Sequence, residues 1–363
     1  MNLFSLGWEN YSKKIEEPSK IPETGLVGRI AAENRKNWII FSELGENQGI
    51  ILKNFSRKNP MPKIGDWVLF KRLPGEDKVL IEKILPRFSK ISRKDPRPGG
   101  KIEEQIIAVN IDKVFLVQGL DDNFNFNRLE RYLVMVRDGN VEPVIVFNKT
   151  DAADNLDSLM VFARDRFKNT ETFFVSAKTG EGMKNIKNAI RAGETVVFLG
   201  SSGVGKSTII NRLFETILQA TREVRGKDSK GRHTTSRREM FILPTASTES
   251  ERERGGVVID TPGMRELQVL ASQESVDDVF EDFEKLGKSC RFTDCDHEIS
   301  KDCAILAKVK TGEIVMERYE SFLKLRREAG FTGSKVDPNQ ERAKRSFWKK
   351  VSKNVKTRGK LEE

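Results

Sequence analysis

Residues 200–207 read GSSGVGKS, directly after the apolar run TVVFLG (195–200) and ahead of a stretch with helical apolar spacing. The string fits G-x-x-x-x-G-K-[ST] in the strand–loop–helix setting that a phosphate-binding loop requires. Gly200, Gly203 and Gly205 let the backbone curl until its N–H groups face phosphate, with Ser201, Ser202, Val204 and Thr208 completing the loop. Lys206 brings positive charge to the outer phosphates and is a catalytic candidate, and Ser207 offers a hydroxyl to magnesium.

Three further motifs surround this loop. DTPG (260–263) ends the run VVID, placing Asp260 to hold magnesium through water and Gly263 to offer its N–H to the terminal phosphate. NKTD (148–151) ends VIVFN (144–148). The Asp151 carboxylate can accept from the N1–H and 2-amino group of guanine, whereas adenine lacks both donors and would leave the carboxylate unpaired. Asn148 is placed for the purine's other edge, and the Lys149 stem to lie over the ring. SAK (Ser176, Ala177, Lys178) follows TFFVSA (172–177) and would complete the base pocket through the Ala177 backbone. Four motifs of this kind imply GTP and GDP with Mg²⁺ rather than ATP.

Their order is unusual. In Ras-like GTPases the phosphate loop comes first, followed by the switch, DxxG, NKxD and SAK. Here NKTD and SAK precede GSSGVGKS and DTPG, as in a circular permutation joined around Ala189–Thr195. Between the phosphate loop and DTPG lies TREVRGKDSKGRHTTSRRE (221–239), charged and without apolar period. A switch needs a threonine to close on magnesium and the terminal phosphate, for which Thr234 and Thr235 are candidates and Thr235 is favoured. Met264 stands where Ras-like enzymes carry a water-orienting glutamine, which predicts slow hydrolysis without help from another group or partner. His233 is one candidate helper; as a lone histidine in a polar loop it reads equally as a bystander or an RNA contact.

The flanks carry other chemistry. Residues 1–22 are polar and expected to be loosely held. From Gly25 to Arg93, five short β-branched runs (LVGRIA, NWIIFSE, GIILKN, DWVLFKR, KVLIEKIL) predict a small closed barrel of OB type, ended by the joint DPRPGG (95–100). The apolar runs that follow, alternating with helical stretches, predict a parallel sheet covered by helices. Past Leu270 the chain turns helical and charged. Its only cysteines, Cys290, Cys295 and Cys303, sit with His297 as C-x4-C-x-H-x5-C, a set that suits one tetrahedral structural Zn²⁺. The net charge is +10, of which residues 335–363 supply +6, from ten Lys or Arg against four Asp or Glu. Phe347 and Trp348 stand among the lysines of that tail, which reads as RNA-binding or as a solvated basic segment. No run reaches the length of a membrane span and the N-terminus has no secretory layout, so the expectation is a cytoplasmic monomer without a membrane partner.

The motif order, the GRHTTS stretch, the preceding barrel and the downstream Cys/His pattern together resemble the RsgA family, also called YjeQ or YloQ. The resemblance runs from about Gly25 to the tail. It implies a circularly permuted GTPase of late small ribosomal subunit (30S) maturation, with barrel and zinc domain gripping rRNA and turnover stimulated by the subunit. It also implies a hydrophobic residue at Met264 and assigns His233 a catalytic role. One departure is the Ser300-Lys301-Asp302 before the last cysteine, where the family often has Glu-Pro-Gly. The expected architecture is therefore multidomain. It comprises an N-terminal extension (1–22), an OB-fold RNA-binding barrel (23–97), a permuted α/β P-loop GTPase domain (98–270), a mostly α zinc-binding domain (271–334) and a basic tail (335–363).

Overall fold

The computed structural model describes residues 1–15, 25–35, 37–55, 60–95, 103–122, 124–221, 239–243, 255–260, 271–298, 300 and 302–336. The chain divides into two compact units, Met1–Asn125 with Gly139–Gln268, and Phe126–Asp138 with Val269–Glu363.

The first unit begins with α1 (Trp8–Lys14) and five strands, β1 (Leu26–Glu33), β2 (Trp38–Ser42), β3 (Gly45–Ile50), β4 (Trp67–Arg72) and β5 (Lys78–Ile84). β1 pairs with both β2 and β4, β2 with β3, β3 in parallel with β5, and β5 with β4. That circuit closes the sheet on itself in the order of an OB-fold. Its interior is filled by Ile30, Trp38, Ile40, Phe55, Val68, Phe70, Val79 and Ile81. The third strand lies earlier than the apolar run GIILKN (49–54) predicts. Ser42 pairs directly with Gly45, leaving Glu43 and Leu44 as a two-residue turn, so the polar GENQ enters the ladder and Leu52 stands exposed.

The N-terminal segment also departs from expectation. Residues 1–15 are not loose: Leu6, Tyr11 and Ile15 are buried against Trp67 and Leu85. Three such burials contribute about 1.5–3 kcal/mol each before ordering costs. The Tyr11 hydroxyl donates to the Pro86 carbonyl at 2.8 Å, and the buried Arg29 guanidinium donates to the Leu6 carbonyl at 2.5 Å and the Asn110 carbonyl at 3.0 Å. The polar composition of the segment conceals three apolar side chains that share one patch.

Beyond the barrel, β6 (Lys90–Asp95) and β7 (Glu103–Val109) form an antiparallel ribbon flanking the DPRPGG joint. The nucleotide-type sheet then follows, with β8 (Lys113–Gly119), β9 (Glu142–Asn148), β10 (Glu171–Val175), β11 (Thr195–Leu199), β12 (Glu239–Ile242) and β13 (Val257–Asp260). Their spatial order is β10-β9-β8-β11-β13-β12, parallel except for β12. Every residue of β8 and β11 is buried, as strands covered on both faces require. In chain order, α2 (Phe126–Asp138) lies between β8 and β9, and α3 (Leu156–Arg166) and α4 (Met183–Asn188) flank β10. α5 (Lys206–Thr221) leaves β11. Ile186 and Ile190, from α4 and the turn after it, and Ile209 and Leu213 of α5 pack on Phe115, Val146, Val196 and Phe198. The barrel and this sheet are continuous, because Ala32 of β1 pairs with Glu239 of β12.

The second unit contains α2 with α6 (Gln273–Val279), α7 (Glu281–Gly287), α8 (Ala304–Lys310) and α9 (Met316–Val336). Phe280, Phe283 and Phe322 form its fully buried aromatic centre, with ring centroids 4.6–5.6 Å apart. Arg318 lies over two of these rings, forks to Asp282 at 2.5 and 2.9 Å, and reaches Glu130 of α2 at 3.2 Å. Among the described residues no helix is long and apolar enough to cross a membrane.

Candidate nucleotide and metal sites

Because β9, β10, β11 and β13 run parallel, the segments NKTD, SAK, GSSGVGKS and the start of DTPG all emerge at the carboxyl ends of the strands. Open α/β sheets bind their ligands at that edge. The permuted chain order therefore leaves the spatial order of the site intact.

The phosphate loop has the curled backbone that its sequence requires: Gly200, Gly203 and Gly205 have φ of 154°, 82° and 96°. A Cβ on Gly200 would lie 2.2 Å from the Val117 carbonyl oxygen, and one on Gly205 would lie 2.2 Å from Asn148 Nδ2. Only glycine fits either position. The Lys206 ammonium donates to the Gly200 and Ser201 carbonyls, both at 2.7 Å. Burial lowers its pKa from the ordinary lysine value, against the opposing charge of Asp260. A cation disfavoured by burial gains from any anion brought into the loop. Ser207 follows Lys206 in the first turn of α5, and Val204 is fully buried.

Asn148 ties the site together. Its Nδ2 donates to the Val204 carbonyl at 2.8 Å, and its Oδ1 accepts from the Ala177 N–H at 2.9 Å. One buried carboxamide thus joins NKTD to both the phosphate loop and SAK. The sequence assigns Asn148 to the purine edge and the Ala177 backbone to the base; here the two hold each other. Lys149 has φ of 70°, and its ammonium pairs with Asp121 at 2.5 Å. Asp151 accepts from the Ser176 hydroxyl at 2.6 Å and lies 3.7 Å from the Lys178 ammonium. The Ser176 hydrogen bond first, then the local backbone and Lys178, hold the Asp151 carboxyl below the usual carboxylate range. It is a ready acceptor for paired donors of the kind guanine presents.

Two residues at this edge escape the motif reading. Asp121, in the turn after β8, orients Lys149, and its carboxylate lies where a Cβ on Gly119 would meet it at 2.8 Å. Arg212 of α5 donates to the Ala177 and Lys178 carbonyls. The chemistry of an Asp two residues after a strand-end glycine, or of an Arg one turn and a half into the phosphate-loop helix, is legible only once the loops are placed. Thr208 falls on the first turn of α5. His233, Thr234, Thr235, Gly263, Met264, Phe347 and Trp348 lie outside the described residues.

In the second unit, Cys290, Cys295, His297 and Cys303 converge, with all four ligand atoms within 4.8 Å of one another. His297 Nδ1 is 3.7 Å from Cys290 Sγ and 3.6 Å from Cys303 Sγ, and the two sulfurs are 3.9 Å apart. Zn–S bonds of about 2.3 Å and Zn–N bonds of about 2.0 Å at tetrahedral corners separate ligand atoms by about 3.5–3.8 Å. The donor set fits. His297 adopts a left-handed backbone (φ 61°), and its carbonyl accepts from the Tyr319 hydroxyl at 2.7 Å, which fixes the ligand loop on α9.

The model of the family "RsgA GTPase" matches residues 84–270. A small ribosomal subunit biogenesis GTPase RsgA 2 of Vibrio parahaemolyticus is 36% identical over 355 residues, covering 97% of this chain and 92% of that protein. The chain belongs to the RsgA GTPase family. It is accordingly a P-loop GTP hydrolase. The RsgA of Opitutus terrae is likewise 36% identical, over 100% of this chain and 99% of its own. Among solved structures, YjeQ of Thermotoga maritima matches with a TM-score of 0.60 at 24% identity, covering 84% of this chain and 98% of that one. YloQ, described as a circularly permuted GTPase, matches with a TM-score of 0.57 at 22% identity, covering 85% of this chain and 96% of that one. These two likenesses support the RsgA fold: an OB-type barrel, a permuted GTPase sheet, and a helical region carrying the Cys/His cluster.

Proposed function

We propose that this RsgA family GTPase binds the small ribosomal subunit through its rRNA late in maturation and hydrolyses GTP to GDP and phosphate faster when bound. The observation that carries this reading is the extent of the likeness. Relatives named for small ribosomal subunit biogenesis match across nearly their whole length and nearly all of this chain, so the likeness extends over its barrel, GTPase and Cys/His regions. The +10 charge and a barrel of the OB type fit an RNA partner.

In the proposed site Lys206 and the phosphate-loop N–H groups take the phosphates, and Asp151 reads guanine with the SAK backbone at its side. Ser207, Asp260 and Thr235 would hold magnesium, which neutralises developing phosphate charge when bound. Met264 can neither orient water nor take a proton, so subunit-induced placement of another group, His233 first, supplies the stimulation. Zn²⁺ on Cys290, Cys295, His297 and Cys303 is structural, since four protein ligands leave no open position. The protein acts in the cytoplasm as a monomer.

Co-sedimentation with separated small and large subunits tests the partner. Binding to the small subunit alone, in the presence of a non-hydrolysable GTP analogue and weakening steeply between 50 and 200 mM salt (concentrations on the order of those at which phosphate contacts are screened), is expected. Equal binding to both subunits, or none to either, refutes it.

A further inference from the structure

The geometry points to Arg212 as a positioning residue for guanine selectivity, an inference that rests on Asp151 being the base reader. Arg212 lies on α5, the helix that starts at Lys206, and is half-buried there. Its Nε donates to the Ala177 carbonyl at 3.0 Å and its Nη2 to the Lys178 carbonyl at 2.6 Å. The guanidinium thus grips two successive carbonyls of SAK with a planar fork that an ammonium cannot reproduce.

The rest of the base-reading machinery hangs on that loop. Ser176, one residue earlier, holds Asp151 Oδ1; Lys178 approaches Asp151 Oδ2; and the Ala177 N–H is fixed by Asn148. Arg212 therefore sets the distance between the helix that carries the phosphate-binding lysine and the loop that aims the guanine-reading carboxylate. Hydrogen-bond recognition of a two-donor edge tolerates little displacement, so loss of the fork costs the two-donor ligand more than a one-donor ligand. Inosine triphosphate keeps N1–H and lacks the 2-amino group, which makes it the probe.

The test measures dissociation constants of the full-length protein for GTP and ITP, with thermal unfolding alongside. Wild type should prefer GTP, and Asp151→Asn should abolish that preference; failure of either result sinks the base-reader assignment itself. With that assignment standing, Arg212→Ala is expected to weaken GTP about tenfold and to shrink the GTP-over-ITP ratio at least threefold, and Arg212→Lys to restore less than half of the loss on a logarithmic scale. If Arg212→Ala does not fold, Arg212→Lys carries the test through the same ratio. A ratio within twofold of wild type in a folded variant, including one where both nucleotides weaken equally as melting temperature falls, overturns the proposal.

Discussion

Asn148→Ala removes the side chain through which three separated stretches of chain meet at the nucleotide edge. The substitution deprives the Val204 carbonyl of its donor at 2.8 Å and the Ala177 N–H of its acceptor at 2.9 Å. Val204 is fully buried, and Ala177 and Asn148 are 2% exposed, so water replaces neither partner without opening the site. A buried polar group left unpaired costs about 1–3 kcal/mol, which gives about 2–6 kcal/mol for the pair. Native-state hydrogen exchange reads the Ala177 amide directly: the same 1–3 kcal/mol corresponds to exchange about 5- to 150-fold faster there. Amides of β2 in the barrel serve as the internal control and should not change. Asn148→Asp separates the two bonds, since it keeps an acceptor for the Ala177 N–H while turning an acceptor towards the Val204 carbonyl. It should preserve Ala177 protection and still loosen the phosphate loop. Ala177 exchange within twofold of wild type in the Asn148→Ala variant would refute the view that this carboxamide braces the site.

Other outcomes follow from the same geometry. The Ser176 hydroxyl is the largest influence holding the Asp151 carboxyl below the usual range. In the proposed base pocket guanine recognition needs the carboxylate, so it is present above the folded pKa and lost as pH falls through it. Ser176→Ala should move that loss to higher pH, towards the ordinary aspartate range near about 4, in GDP titrations; an unchanged acid limb contradicts the assignment. Gly205→Ala, whose Cβ would lie 2.2 Å from Asn148 Nδ2 at a φ of 96°, should lose GDP affinity at least tenfold, and affinity within threefold of wild type speaks against the packing described. Chelating zinc with Mg²⁺ kept in excess should remove exchange protection from α7 to α9 and leave GDP affinity within twofold; loss of both together would show that the two units do not behave separately.

The sequence exposes most readily those features in which a backbone need is met by a residue type. The strand–glycine-loop–helix at 195–221, the strand ends carrying NKTD and DTPG, and the Cys/His spacing all state their geometry locally, and their strands fall where the apolar runs lie. The barrel is legible from five β-branched runs, except that β3 lies under the polar GENQ because a two-residue turn decides its register rather than its hydrophobicity. Long-range partners leave no such local mark. Leu6, Tyr11 and Ile15 sit in a polar-looking segment and find Trp67 only in the folded chain. α2, placed in sequence between two strands of the nucleotide sheet, packs with α6 and α9. Asp121 and Arg212 act on motif residues from outside any motif, so the sequence singles out the groups proposed to meet guanine and phosphate and is silent on what aims them.

We propose a GTPase whose slow chemistry is completed by the small ribosomal subunit. Single-turnover GTP hydrolysis, with and without purified small subunits and with large subunits as control, tests it most directly. A rise of at least tenfold with small subunits alone, lost in Lys206→Ala, is the predicted result. A rate that small subunits leave unchanged, in protein shown to bind both GTP and the subunit, contradicts the account.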